Sequence, residues 1–215
     1  MTVSAKICGI RDETALDAAV AGGARFAGLV FYPPSPRYVT PDAAARLTSK
    51  MRDRISLVGL VVDADDSVIN SILDHMSLDF LQCHGKESPS RVAKIKVKFG
   101  LPVIKAISIG GWEDVDQAKE YEADADWLLF DAKPPKSMTN ALPGGNALAF
   151  DWALIANHTW KLPWILSGGL NANNVAEAIE ISGAQVVDVS SGVENRPGVK
   201  SPARIKSFLD AAQAM

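Results

Sequence analysis

The sequence predicts an α/β protein, a single (β/α)8 barrel that takes in residues 1–215 as one domain. Three observations carry this. Eight short apolar runs recur along the chain, each nearly continuous in Val, Ile, Leu and Phe, the pattern of parallel strands covered on both faces. Helix-like segments lie between most of them, and right-handed crossovers would close such a series into a barrel. No linker or shift of composition divides the chain. The mean unit is about 27 residues, at the compact end for a barrel, whereas an open doubly wound sheet usually has five or six strands.

The first strand is Val3–Ile7. A helix over Asp12–Ala21 follows, with Asp12 as N-cap and Ala15, Leu16, Ala19 and Val20 near one face. Gly22 and Gly23 stop it. Strand Phe26–Phe31 leads to a helix over Pro41–Met51, capped by Thr40 with proline in its first turn. Strand Ser56–Val62 precedes helix Ser67–Asp74, strand Phe80–Cys83 precedes helix Ser90–Phe99, and strand Pro102–Ile107 precedes helix Glu113–Glu122. After strand Trp127–Phe130 comes the longest irregular stretch, Ala132–Leu148, with Pro134, Pro135, Pro143, Gly144 and Gly145. It reads as a βα loop, and loops of this length are often functional. Helix Asp151–Ala156, strand Trp164–Leu166, helix Asn173–Ile181, strand Val186–Val189 and helix Pro202–Ala212 complete the series.

Composition narrows the function. The chain is 47% hydrophobic, enough for a sizeable core. Its 22 basic residues stand against 25 acidic ones, which leaves no basic footprint for nucleic acid. No run approaches the ~18 apolar residues of a membrane span, and MTVSAKICGIRDE does not read as a secretory signal. Cys8 and Cys83 make no disulfide framework, which predicts a reducing, cytoplasmic setting. Cys83 and His84 are adjacent, but no second metal-type pairing exists, so no metal site is expected.

In such a barrel the active site lies at the C-terminal ends of the strands, so the residue just past each run tests for function. Those positions hold Cys8, Arg37 in YPPSPRYV, Cys83-His84-Gly85, Asp131, Ser167-Gly168-Gly169 and Ser190-Ser191-Gly192. A thiol, a carboxyl, an arginine and two small-residue turns are the parts of a site for an anionic, phosphorylated ligand. Small residues let backbone N–H groups approach a ligand closely, and the loops after strands seven and eight are the usual phosphate grip of this fold. Each residue also has a plainer reading. Cys8 alone reads as a small buried hydrophobe, Asp131 as a turn carboxyl, Arg37 as a solvated loop residue, and His84 as a structural hydrogen-bond donor as readily as a site residue. Pro33, Pro34 and Pro36 favour the functional reading of Arg37, because they stiffen its loop. Lys6, inside the first strand, can face either way. The tryptophans, Trp112, Trp127, Trp152, Trp160 and Trp164, read as packing residues.

KICGIR, GLVFYPPSPRYV, LQCHG, LLFDA, FDW, LSGGLNANNV and VDVSSGVENRPGVK, in that order, resemble the phosphoribosylanthranilate isomerase family of tryptophan biosynthesis from Lys6 to Phe208. The resemblance implies a cofactor-free, metal-free barrel enzyme. Its reaction would be the Amadori rearrangement of N-(5-phosphoribosyl)anthranilate to 1-(2-carboxyphenylamino)-1-deoxyribulose 5-phosphate. It further implies Cys8 as general base, Asp131 as general acid and Arg37 as the grip on the anthranilate carboxylate. The turns at Gly168, Gly169, Ser190, Ser191 and Gly192 would hold the phosphate. No contact is assigned to Gly144–Ala147, where the chain departs from the family pattern. An unperturbed thiol is only a few per cent ionised near neutrality, so the site is expected to help form the thiolate. The competing readings are another phosphosugar enzyme on this barrel and a non-catalytic phosphate-binding homologue. A synthase would want Lys and Glu at the rim, a dual-substrate isomerase an Asp in place of Cys8, and a binding module neither Cys8 nor Asp131.

Overall fold

The eight apolar runs form parallel strands, each hydrogen-bonded to the next, and the last to the first. They are β1 (Ser4–Cys8), β2 (Phe26–Val30), β3 (Ser56–Val61), β4 (Phe80–Cys83), β5 (Val103–Ile109), β6 (Trp127–Ala132), β7 (Trp164–Leu166) and β8 (Val186–Val189). Closure is set by β1, where Lys6 stands opposite Phe26 on one side and Asp188 on the other. The computed structural model describes residues 2–49, 51, 53–135, 137–138, 142–156 and 158–215.

The surrounding helices are α1 (Glu13–Ala21), α2 (Pro41–Thr48), α3 (Asp66–His75), α4 (Pro89–Phe99), α5 (Trp112–Ala118), α6 (Ala153–Ala156), α7 (Val175–Ser182) and α8 (Pro202–Gln213). Their starts follow from local chemistry. Asp12 Oδ1 accepts from the Ala15 N–H at 2.8 Å, and Thr40, Asp65, Ser88 and Ser201 cap α2, α3, α4 and α8 in the same manner. Pro41, Pro89 and Pro202 fill first-turn positions, where a missing N–H costs nothing. The ends of α4 and α7 fall on left-handed Gly100 and Gly183.

Several boundaries differ from the sequence reading. The second helix stops at Thr48, whose hydroxyl bonds back to the Ala44 carbonyl; the predicted extension passes Lys50, which lies outside the described residues. Helix α5 gives way at Lys119–Tyr121 to a 3-10 turn. Strand β5 runs on to Ile109, because Ser108 interrupts the apolar run without interrupting the ladder. Cys8 and Asp131 are therefore each part of a strand rather than the residue beyond it. A two-stranded hairpin, β9 (Glu194–Arg196) with β10 (Val199–Lys200), follows β8 and was not predicted. Of the long stretch 132–148, residues 136 and 139–141 lie outside the description.

Strand alternation sorts every side chain. Ala5, Ile7, Leu81, Cys83, Leu128, Phe130, Val187 and Val189 pack outward into the main core beneath the helices. Phe26, Val58, Ile104, Ala106, Leu129, Ile165 and Val186 form a second cluster inside the barrel. At its base Phe26, Phe80 and Trp127 meet edge to face, with centroids 5.6–6.4 Å apart. The interior positions that follow, two residues on in β6 or β7, are polar: Asp131 above Leu129 and Ser167 above Ile165. Likewise Asp188 follows Val186 on β8, and Lys6 and Cys8 share the inner face of β1.

Candidate active site

The same alternation separates the two cysteines. Cys83 faces the helices and is wholly buried among apolar neighbours, while Cys8 closes the inner face of β1 and lines a cavity at the strands' C-terminal mouth. About 470 Å³ of space lies between its lining residues, part of it open to solvent. Asp131, His84, Arg37, Ser167, Asp188 and Ser190 line it too, with Tyr32, Leu60 and Val62 as an apolar wall. A second recess of about 310 Å³ continues from it across Gly168, Gly169, Ser190 and Ser191. Thus residues from β1, β6 and the loops after β2, β4, β7 and β8 converge as predicted. Gly192 does not line the recess. Its missing side chain instead lets the Ser191 turn pass against the Leu170 carbonyl. A wider hollow of about 1460 Å³ opens at the opposite mouth, between Trp127, Trp160 and Trp164, and contains none of these groups.

Glycines make the room that the reactive side chains need. A Cβ on Gly28 would lie 2.9 Å from the Cys8 sulfur. One on Gly9, at φ +80°, would lie 2.7 Å from Arg37 Cδ, and one on Gly145, at φ +74°, 2.5 Å from Arg37 Nη1. Arg37 therefore runs through a slot that only left-handed glycines leave open. Gly144 matters in the same way, since a Cβ there would lie 2.5 Å from His84 Nε2 and 2.7 Å from Asp131 Oδ2. The segment to which the sequence assigned no contact thus roofs the cavity.

Asp131 is held on one side. Its Oδ1 accepts from the Ala132 N–H at 2.9 Å, which leaves Oδ2 toward the cavity, 3.3 Å from His84 Nε2. That approach is not aligned as a hydrogen bond, and His84 Nε2 has no other partner among the described residues. Gln82, fully buried on β4, meets His84 Nδ1 at 2.7 Å. His84 is therefore anchored at Nδ1 and turns Nε2 toward the cavity.

Beneath Cys8, Lys6 is completely buried and donates to Asp188 Oδ1 at 2.9 Å, while Ser167 donates to Asp188 Oδ2 at 3.0 Å. Burial alone would lower the Lys6 pKa, but the charge and hydrogen bond of Asp188, with those of Cys8, push it up to about 12. Lys6 is thus a fixed cation at any working pH. The Cys8 thiol departs from expectation. Burial, its largest influence, pushes it up; Lys6 pulls it down by charge and hydrogen bond, Asp188 adds to the rise, and Lys200 pulls down in turn. The free site does not favour the thiolate.

Arg37 is not a free loop residue. Its Nε and Nη2 donate to the two oxygens of Glu194 at 2.8 and 2.9 Å, and Nη2 also reaches the Gly145 carbonyl at 3.3 Å. Glu194 and Lys200, from the unpredicted hairpin, and the Lys6–Asp188 pair are the site groups that sequence reasoning missed. Alternation in SAKIC was a usable signal for Lys6, whereas nothing local pairs Glu194 with Arg37. A further buried pair, Lys105 with Glu87 at 2.7 Å, lies outside the barrel wall and fixes the His84 loop through the Gly85 carbonyl and N–H. Among the described residues no group of three or more His, Cys, Asp or Glu is arranged to hold a metal ion.

A closed parallel barrel with converging polar groups at this mouth defines a (β/α)8 barrel of the enzyme type, with a candidate active site in the standard place. Residues 5–211 match the family described as N-(5′-phosphoribosyl)anthranilate (PRA) isomerase. A relative of that name from Paramagnetospirillum magneticum is 53% identical over 99% of this chain and 98% of its own. The crystal structure of phosphoribosyl anthranilate isomerase from Thermotoga maritima is 34% identical, covers 99% of this chain and 100% of its own, and has a TM-score of 0.88. A structure of such an isomerase in complex with reduced 1-(o-carboxyphenylamino)-1-deoxyribulose 5-phosphate superposes with a TM-score of 0.85 at 33% identity, covering 99% of this chain and 100% of its own. The chain belongs to the N-(5′-phosphoribosyl)anthranilate isomerase family, and it is an enzyme that interconverts an aldose and a ketose.

Proposed function

We propose that this chain, acting as one barrel domain in the cytoplasm, rearranges N-(5-phosphoribosyl)anthranilate to 1-(2-carboxyphenylamino)-1-deoxyribulose 5-phosphate. The observation that carries it is that Cys8 and Asp131 line one cavity, which runs on into the small-residue recess after β7 and β8 and faces Arg37. The phosphate lies in the recess against Gly168, Gly169, Ser190 and Ser191, and the aryl carboxylate against Arg37. The ribose then spans the gap between thiol and carboxyl.

Asp131 acts first. With Oδ1 already accepting an N–H, Oδ2 is the oxygen that serves the furanose oxygen as general acid, and His84 Nε2 steadies the charge left on it. The ring opens to a protonated Schiff base, which acidifies the C2′ proton. Cys8 removes that proton, and the enolamine tautomerises to the ketone. The order explains the reluctant thiol. The free cavity holds the thiol neutral; the iminium formed by ring opening brings positive charge that lowers its pKa, and the thiol releases its proton to solvent in the open cavity before it takes the C2′ proton. The two electrons that change carbon stay within one molecule, so the step calls for no cofactor or metal.

The test is the fluorescence of the anthranilate adduct, followed with purified variants. Cys8→Ala and Asp131→Asn should each cut kcat by ~10²–10⁴-fold with circular dichroism unchanged. Near-native turnover in Cys8→Ala removes the base from the scheme.

A further inference from the structure

The motif VENRPGVK after β8 has no part in the scheme above, yet two of its side chains are buried at the site. Glu194 and Lys200 are each 5% exposed. Glu194 accepts from Arg37 Nε and Nη2, one bond to each carboxylate oxygen, and Oε1 also accepts from Lys200 Nζ at 2.9 Å. Lys200 in turn donates to the Ser190 carbonyl at 2.9 Å, and the Ser190 hydroxyl donates to the Cys8 carbonyl at 3.1 Å. The hairpin is fixed against the arginine loop by its backbone as well. Gly198, at φ +79°, lies where any Cβ would strike the Pro36 carbonyl oxygen, and Arg204 donates to the Glu194 carbonyl.

Two consequences follow from this arrangement. A bidentate pair fixes a guanidinium in plane and rotation. Here it occupies the Nε–Nη2 edge, so Nη1, which has no acceptor among the described residues, is the nitrogen left to receive a ligand beside Gly145. The charges matter too: the Glu194 carboxylate lies between the Arg37 guanidinium and the Lys200 amine, and burial lowers the Lys200 pKa although Glu194 raises it. Burial opposes ionisation of Glu194, but the hydrogen bonds and charges of Arg37 and Lys200 outweigh it and hold the carboxyl below its usual range.

We infer that Glu194 is a positioning residue that sets the enzyme's preference for a carboxylated aryl group, by aiming Arg37 Nη1. Through Lys200 and Ser190 it also fixes the distance between the carboxylate grip and the phosphate turn. The inference rests on the assignment of Arg37 to the aryl carboxylate.

The experiment compares kcat/KM for the anthranilate substrate with that for its N-phosphoribosyl aniline analogue, which lacks the carboxylate. Glu194→Gln keeps the shape but replaces one acceptor oxygen by an NH2 group, so Arg37 loses its bidentate hold and Nη1 its aim, although the cluster gains positive charge. The ratio of the two kcat/KM values should fall about 10- to 100-fold, the range for a lost charge-assisted hydrogen bond, and mainly through KM of the carboxylated substrate. Glu194→Asp keeps the charge but is one methylene short, and its ratio should lie between those of the wild type and Glu194→Gln. A purely structural role would depress both substrates alike and leave the ratio where it was, which overturns the inference. Arg37→Ala separates the two assignments. If Arg37→Ala abolishes discrimination and Glu194→Gln does not, only the role of Glu194 fails. If Arg37→Ala leaves discrimination intact, the carboxylate assignment itself fails.

Discussion

Replacing Lys6 by Met removes the one fixed cation that acts on Cys8 by both charge and hydrogen bond. A unit charge ~4 Å away at an effective dielectric of ~20 is worth about 4 kcal/mol. Water in the open cavity screens part of this, and losing Lys6 should push the Cys8 pKa further up. Asp188→Asn should do the opposite, because the Asp188 charge opposes thiolate. The Lys6→Met/Asp188→Asn double variant should fall between them. It also serves as the folding control, since losing one partner of a buried pair costs about 3–5 kcal/mol, whereas replacing both is often near neutral. The assay is the pH dependence of iodoacetamide alkylation, read by mass spectrometry on the tryptic peptide that ends at Arg11, which contains Cys8 and excludes Cys83. Wild-type protein should show its midpoint above the ordinary thiol value of 9.0. Equal midpoints for wild type and Lys6→Met, or a midpoint that rises in Asp188→Asn, would refute the electrostatic account.

Gly28→Ala places a methyl group 2.9 Å from the Cys8 sulfur and 3.0 Å from its Cα. Overpacking of this kind costs about 1–3 kcal/mol, and kcat should fall at least tenfold because the thiol is turned aside; unchanged kcat with a lowered Tm would show that the sulfur's position is immaterial. Alkaline pH should unfold the protein early. The Cys83 thiol is pushed by burial, and further by Glu87, to about 12, so between 9.0 and about 12 the folded chain holds a proton that the unfolded chain has released. Lys6 adds the same effect between 10.5 and about 12. Stability is therefore whole below pH 9 and declines above it by about 1.4 kcal/mol per pH unit for each such group. A Tm that is flat from pH 8 to pH 11 contradicts these burial effects.

The sequence shows Cys8 and Asp131 because both sit where an apolar run ends, and strand ends are where this architecture keeps its chemistry. Their reach into the lumen is harder to read. A strand covered on both faces hides its period of two, and only in SAKIC does a polar residue at every second place betray the inner face. Lys6 and Asp188 are 182 positions apart, and Arg37 and Glu194 157 apart, so neither pair leaves a local trace. Proline stiffness gave a reason to single out Arg37, but its restraint comes from a hairpin too short to show as strands. The helix starts were legible for the converse reason, since a cap and its recipient N–H lie three residues apart.

The ring trio of Phe26, Phe80 and Trp127 stoppers the barrel below the site. Passage through that end is closed, so the ketose leaves by the mouth at which the aldose enters. Neither can pass through while the other is inside, so accumulated product should inhibit in strict competition with the incoming sugar.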